Sequence, residues 1–182
     1  MILISFCIPT NGIVEWVGPV LKSIYEQGVD QELFEVVISD NGNDNNLMNY
    51  INLEYKGVKN LIYKKTKAVG FENQIEAFKM ASGEFIKFVN HRMILKPSTV
   101  KFYIDYVNNN INIKPISYFS NGKLGFNEKK FECFEKYIRA LSYWSSWSAG
   151  VAMWKQDFDK MILSQKKVFD NSLFPHLALL FS

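Results

Sequence analysis

Residues 2–8 form an apolar run, interrupted only by Ser5, that Pro9 closes, the pattern of a strand buried on both faces of a sheet. Over 13–27, Ile13, Trp16, Val17, Val20, Leu21 and Ile24 recur at helical spacing, and Gly28 follows as the stop. Residues 34–39 predict a second strand that runs into the polar, turn-rich segment 40–46. A helix over 46–54 and a short strand over 60–64 follow. Gly70 then opens a helix over 71–81, which Ser82-Gly83 stops, and a fourth strand spans 84–89. Pro97-Ser98 starts a helix with Val100, Tyr103, Ile104 and Val107 on one face, ended by the polar run Asn108-Asn109-Asn110. The pattern weakens from 120 to 145; it predicts a strand over 113–119, a helix over 129–141 and a strand over 148–154.

Strands and helices alternate up to about residue 110, which argues for βαβ units and a mostly parallel sheet, an α/β fold. In such a sheet ligands bind beyond the carboxyl ends of the strands, where the strand order switches. The loops at 9–12, 40–46 and 90–93 each follow a strand and are therefore expected to meet at one edge. With 182 residues, no repeat and no linker, one domain is expected.

Composition narrows the function classes. The net charge of +3 lacks the clustered basic stripe of a nucleic-acid binder, so no nucleic-acid partner is expected. Lys64, Lys65 and Lys67 form the densest basic run, read as a solvated turn ahead of a phosphate-facing patch. The aromatic share of 15% fits either a stacked core or an aromatic cleft. Two cysteines, Cys7 in a buried strand and Cys133, suggest neither zinc nor a disulfide framework and agree with a reducing, cytoplasmic setting. No apolar stretch reaches the ~20 residues that span a bilayer. The chain ends on the apolar stretch 177–182, which suggests a truncated chain or an end buried against a partner, and leaves peripheral membrane contact open. Oligomeric state is not readable from the pattern.

Four segments in order carry a resemblance: Cys7-Ile8-Pro9-Thr10-Asn11; Ser39-Asp40-Asn41-Gly42; Val69-Gly70-Phe71-Glu72-Asn73; and 81–89 running into Asn90-His91-Arg92-Met93. Together they resemble the nucleotide-binding half of the family 2 glycosyltransferases. That resemblance implies the GT-A (Rossmann-like) fold, a mostly parallel central sheet flanked by helices. It covers 1–97 well and the remainder weakly. The implied organisation is a nucleotide-sugar-binding half, 1–97, and an acceptor-side half of the same domain, 98–182.

The resemblance implies roles. Pro9 and Thr10 form the turn that approaches the base, and Asp40 accepts hydrogen bonds from base or ribose, with Asn41 assisting. Gly70 and Asn73 lie near ribose and diphosphate. Each has a plainer alternative: strand terminator for Pro9, Asx-turn or cap for Asp40, capping and packing for Gly70 and Asn73. Two departures stand out. Asn11-Gly12-Ile13 replaces the usual Tyr-Asn-Arg, and His91-Arg92-Met93 stands where the family places an acidic, metal-holding triplet.

A magnesium or manganese site wants hard oxygen ligands, so no divalent metal and no other cofactor is expected there. Arg92 offers a planar fork that matches phosphate oxygens, and His91 a hydrogen bond or a proton. Either these cations neutralise the diphosphate, or the chain no longer does the chemistry. Inverting transfer needs a carboxylate or equivalent base. Glu128, Glu132, Glu135, Asp157 and Asp159 are open to that role, and His176 and Asp170 are the catalytic candidates. Tyr143, Trp144, Trp147 and Trp154 fit either the core or a sugar-stacking surface.

The expected function is therefore transfer of a sugar from a nucleotide-sugar donor to a glycan or lipid-linked acceptor. Inversion, metal independence, and bacterial surface polysaccharide synthesis at the inner face of the membrane complete the expectation. The alternative is a non-catalytic GT-A-like nucleotide-binding or scaffold protein.

Overall fold

The computed structural model describes residues 1–120, 124–125 and 128–164. The element order is β1 (Ile4–Thr10), α1 (Val14–Tyr25), β2 (Phe34–Asp40), α2 (Asn46–Glu54), β3 (Leu61–Lys65), α3 (Glu72–Met80), β4 (Phe85–Phe88), α4 (Thr99–Asn110), β5 (Ser117–Tyr118), α5 (Phe134–Leu141), β6 (Val151–Trp154) and α6 (Lys155–Ser164). One six-stranded sheet has the order β3-β2-β1-β4-β6-β5. Strands β1 to β4 are parallel, whereas β6 runs antiparallel to both β4 and β5. The fold is thus α/β with a mostly parallel sheet flanked by helices.

The two-residue period of the strands divides the core. Ile4, Phe6 and Ile8 of β1, with Val36, Ile38 and Phe85, pack against α1, α2 and α4 through Val20, Leu21, Ile24, Leu47, Val100 and Val107. Cys7, Val37, Ile86 and Phe88 face the other way, onto Ile75 and Phe78 of α3 and Phe158 of α6. Each fully buried side chain of this size contributes about 1.5–3 kcal/mol. Cys7 is sealed in that second layer, where burial pushes its thiol pKa up. Cys133 is also unpaired.

Pro9 does not end β1. It stays in register with Ser39, and the strand continues to Thr10. The reason lies in the neighbour: β4 pairs with β1 only as far as Cys7. The carbonyl of Cys7 accepts from Val89 on that side, and Pro9, two residues on, points the same way, where the ladder has stopped.

The region after residue 110 departs further from the expected pattern. The strand expected over 113–119 shrinks to Ser117–Tyr118. Lys114 takes a φ of 50°, Pro115 has no N–H to donate, and Ile113 and Ile116 stay exposed. The helix expected over 129–141 begins only at Phe134, because Cys133 is extended. Residues 148–150 form a 3-10 turn ahead of β6. Helix α6, which the pattern analysis left unassigned, buries Phe158 with Met161 and Ile162 beside it, one stripe at helical spacing.

At the amino edge of the sheet, buried Glu35 accepts from the Ser5 hydroxyl (2.6 Å), the Ser82 N–H (2.6 Å) and the Ser82 hydroxyl (2.8 Å). This network fixes the turn that launches β4, the strand that carries residues 90–93 to the opposite edge.

Candidate functional site

The parallel order places the ends of β1, β2, β3 and β4 along one edge, with the switch in order between β1 and β4. The loops that follow β1, β2 and β4 meet there, as their positions after strands require. The Gly12 N–H donates to Thr10 Oγ1 (3.1 Å), and the Asn41 N–H donates to the Thr10 carbonyl (2.9 Å). The first two loops are pressed together. A Cβ on Gly42 would stand 2.2 Å from the Asn11 carbonyl oxygen, and Gly12 takes a φ of 85° against the Asp40 carboxylate.

Asp40 is fully buried. Its Oδ1 accepts from the Gly42 N–H (2.7 Å); its Oδ2 accepts from the Tyr63 hydroxyl (2.7 Å) and from Lys65 Nζ (3.0 Å). Three of about four acceptor positions of the carboxylate are therefore used. Oδ1 is also packed closely against Gly12, where a Cβ would stand 2.9 Å from it. Burial, with the Asp40 hydrogen bond second, raises the Tyr63 pKa. Lys65 also donates to the Asp44 carbonyl, so one ammonium joins the end of β3 to the loop after β2. Lys64 and Lys67 remain exposed, whereas Lys65 does not belong to a solvated turn.

Asn73 is equally committed. Its Nδ2 donates to the Thr10 and Ser39 carbonyls (3.0 and 2.8 Å), and its Oδ1 accepts from the Ser39 and Thr66 hydroxyls (2.6 and 2.8 Å). The amide ties β1, β2 and the loop after β3 into one unit and keeps no capacity for a ligand. Asn41 donates through Nδ2 to the Ala68 carbonyl (2.9 Å) and holds the same loop. Gly70, at φ 54°, turns that loop into α3. Val69 and Phe71 on either side of it are exposed at the edge.

The segment after β4 supplies the cations. His91 Nδ1 lies 3.1 Å from Thr10 Oγ1, and its ring is 5.1 Å from that of Trp16. Burial, with the Arg92 charge second, lowers the His91 pKa below its ordinary 6.5. The Arg92 guanidinium sits 3.4 Å from the centre of the Trp16 ring. Trp16 was expected among the core-facing positions of α1; it is only half-buried, and its ring is the seat for Arg92.

This set does not suit a divalent cation. Asn90 Oδ1 accepts the Arg92 N–H (3.0 Å), Met93 packs against the core, and Arg92 would repel the ion. Among the described residues, no group of three or more His, Cys, Asp and Glu side chains is gathered as metal ligands.

The acidic candidates for a base are engaged in ion pairs or sit at the opposite edge. Glu132 and Glu135 pair with Lys136 and Arg139 along α5, and Glu128 with Lys130. Asp157 and Asp159 sit near the start of α6, which follows the end of β6 and so begins at the opposite edge. His176 and Asp170 lie outside the described residues.

Lys87 escaped the sequence reading because it occupies one place in an apolar strand. It is 1% exposed and donates to the carbonyls of Phe88 (2.9 Å), Ala149 (2.6 Å) and Val151 (3.1 Å). Its ammonium lies 5.8 Å from the Tyr103 ring centre. Burial lowers its pKa to about 7. The side chain thereby fastens the segment before β6 to the strand that leads to His91.

No family model matches this sequence, and no curated protein matches it. Solved structures do. The chain is similar to S. aureus TarS 1-349, at 20% identity over 98% of this chain and 54% of that one, with a TM-score of 0.66. The complex of TarS 1-349 with UDP aligns over 60% of this chain and 33% of that one, at 24% identity and a TM-score of 0.52. The mannosyltransferase PcManGT from Pyrobaculum calidifontis, in complex with GDP-Man and Mn2+, aligns over 87% of this chain and 46% of that one, at 17% identity and a TM-score of 0.61. The chain thus spans between a third and about half the length of these proteins. The likeness is one of fold. No helix among the described residues is long and apolar enough to cross a membrane.

Proposed function

We propose that the chain is a glycosyltransferase that receives a nucleotide-sugar donor at the carboxyl edge of its sheet. The observation that carries this reading is the seating of Arg92 on Trp16 beside His91, at the meeting point of the loops after β1, β2 and β4. A guanidinium held flat keeps its fork of donors in one orientation, and such a fork matches phosphate oxygens. Fixed positive charge aimed at a departing diphosphate stabilises the transition state in place of a metal. The binding of UDP and UDP-GlcNAc by TarS and of GDP-Man by PcManGT supports a donor of this class.

In this reading residues 1–97 form the donor half and 98–182 the acceptor-side half of one domain. Pro9, Thr10 and the 41–45 loop line the base and ribose. Asp40 is sealed beneath them, and its part is to hold the Gly42 N–H, Tyr63 and Lys65 in place. Asn73 and Gly70 set the loop that closes this side. Asp40 is too engaged to serve as the base, and this reading gives that role to His176 or Asp170. Transfer is inverting and metal-independent, to a glycan or lipid-linked acceptor, on the cytoplasmic side in surface polysaccharide synthesis. The second reading, a nucleotide-binding protein without turnover, is favoured by the loss of carboxylates at 91–93.

Calorimetric titration of UDP, TDP and GDP, each in EDTA and in manganese, tests the proposal. Binding in EDTA that Arg92→Ala removes is the expected result. Binding only with manganese overturns the metal-free grip, and no binding in any condition overturns the donor site.

A further inference from the structure

The segment between α5 and β6 is built unlike the rest of the chain. From Ala140 to Trp154 no residue is charged, and Ser142, Ser145, Ser146 and Ser148 alternate with Tyr143, Trp144 and Trp147. Residues 142–146 and 148–150 form successive 3-10 turns. The rings are not core. Tyr143 is 66% and Trp147 47% exposed, and Trp144 is half-buried.

These rings form one cluster. Tyr143 and Trp144 lie 4.8 Å apart at an interplanar angle of 30°, and Trp144 and Trp147 lie 4.3 Å apart at 80°. An edge-to-face contact covers one face of one ring only, so aromatic faces stay open to solvent.

The cluster is held from below. The Tyr118 hydroxyl donates to the Trp144 carbonyl at 2.5 Å, with the Trp147 carbonyl at 3.3 Å. The Tyr118 ring occupies the space that a Cβ on Gly150 would need, at 2.1 Å. Lys87 grips the Ala149 carbonyl. Such anchoring lowers the ordering cost of binding a ligand on the exposed rings.

Topology sets the position. β6 is antiparallel to β4, with Ala152 opposite Lys87, so β6 starts where β4 ends. The aromatic segment that precedes β6 therefore lies on the carboxyl side of the parallel strands, the side on which Thr10, Asp40 and Arg92 stand.

The geometry points to a binding platform for an uncharged sugar ring of the acceptor glycan, with Trp147 and Tyr143 as its exposed faces. This inference rests on the transferase reading above and names the class of its second substrate. A pyranose offers an apolar C–H face for an aromatic ring and a rim of hydroxyls for nearby polar groups. Ser145 gives its proton to the Ser142 carbonyl (2.9 Å), which orients its oxygen as an acceptor for a sugar O–H. The absence of charge over 140–154 disfavours an anionic partner.

The test is a titration of the full chain with tetrasaccharides of glucose, mannose and N-acetylglucosamine. It is followed by tryptophan fluorescence and by saturation transfer from protein to sugar protons, with nucleotide binding measured separately by calorimetry. The expected result is saturable binding of at least one tetrasaccharide, weakened about tenfold or more in Trp147→Ala and in Tyr143→Ala. Trp147→Phe retains most of it, and nucleotide affinity is unchanged in all three. Thermal unfolding of each variant checks the fold, and two independent surface positions guard against one misfolding.

Failure of every tetrasaccharide to bind a chain that binds nucleotide overturns the platform alone. So does saccharide binding that both alanine variants leave intact. Saccharide binding through Trp147 in a chain that binds no nucleotide keeps the platform and takes down the transferase reading. Adsorption to phosphatidylcholine–phosphatidylglycerol vesicles that Trp147→Ala abolishes, without saccharide binding, overturns it in favour of a lipid surface.

Discussion

The Arg92 guanidinium lies 3.4 Å from the centre of the Trp16 ring, joining the segment after β4 to the first turn of α1. A stacked guanidinium keeps its charge and its donors while losing rotational freedom. Trp16→Ala is expected to weaken nucleoside diphosphate binding in EDTA by about tenfold, and Arg92→Ala by more, with Trp16→Phe close to the unaltered chain. Calorimetry of the three variants checks this, and equal affinity for all of them would mean that the stack is only structural.

His91 titrates below its ordinary 6.5 because burial, and then Arg92, disfavour the charged form. The folded chain thus binds fewer protons than the unfolded one below that value, and this group's contribution to stability is lost as pH falls through the window beneath 6.5. A diphosphate beside the ring acts in the opposite sense and favours the proton. Its binding is therefore expected to take up protons in that window, a signal that His91→Gln removes. Calorimetry in buffers of different ionisation enthalpy reads the uptake, and identical uptake in both proteins would exclude His91.

Lys87 shows a pH dependence of its own. Its pKa stands at about 7 in the fold against 10.5 for an ordinary lysine, through burial. Between these values the unfolded chain holds more protons, so this group makes stability rise with pH across the window. Urea unfolding at both ends of it should show that rise in the unaltered chain and its loss in Lys87→Met. The same slope in both proteins would mean that Lys87 reaches solvent.

Asn73→Ala strips partners from two carbonyls and two hydroxyls at once. Buried groups left unpaired cost about 1–3 kcal/mol each, less whatever water recovers, so a loss of roughly 2–4 kcal/mol is expected from urea unfolding. A loss of under about 0.5 kcal/mol, the range of an ordinary surface change, would show that the clamp is not what holds the edge.

Gly42→Ala places a Cβ 2.2 Å from the Asn11 carbonyl oxygen, a backbone atom with no rotamer to yield. The loops after β1 and β2 must separate, at about 1–3 kcal/mol. Nucleotide affinity is expected to fall with stability, whereas Gly57→Ala, whose position is open, should change stability only through its φ of 85°. Unimpaired nucleotide binding by Gly42→Ala would place the base elsewhere.

Much of the frame was legible in advance. β1 and β2 are buried on both faces, so they read as largely apolar runs broken only by Ser5 and Glu35 before their polar ends, and the carboxylate that ends β2 marks the carboxyl edge. The helix expected over 46–54 matches α2, with Leu47 and Ile51, one turn apart, as its buried residues. The pattern misled where one residue outweighed its neighbours. Pro115 and the positive φ of Lys114 cut β5 to two residues, and Pro9 was harmless only because β4 had already ended beside it.

The sequence by itself determined the α/β class and the placing of Thr10 and Asp40 at strand ends and of His91 just past one. These are local properties, carried by periodicity and by residue type next to a strand end. Only the tertiary structure decided that Asp40 is sealed by Tyr63 and Lys65, that Asn73 is spent on four internal bonds, and that Trp16 seats Arg92. It also decided that Lys87 stitches residues 149–151 to β4. Each of these is a pairing between side chains or carbonyls on different elements, and hydrogen-bond partners separated in the chain leave no periodic trace in it. The parallel order of β3-β2-β1-β4, with β6 reversed beside it, brings them within reach of one another.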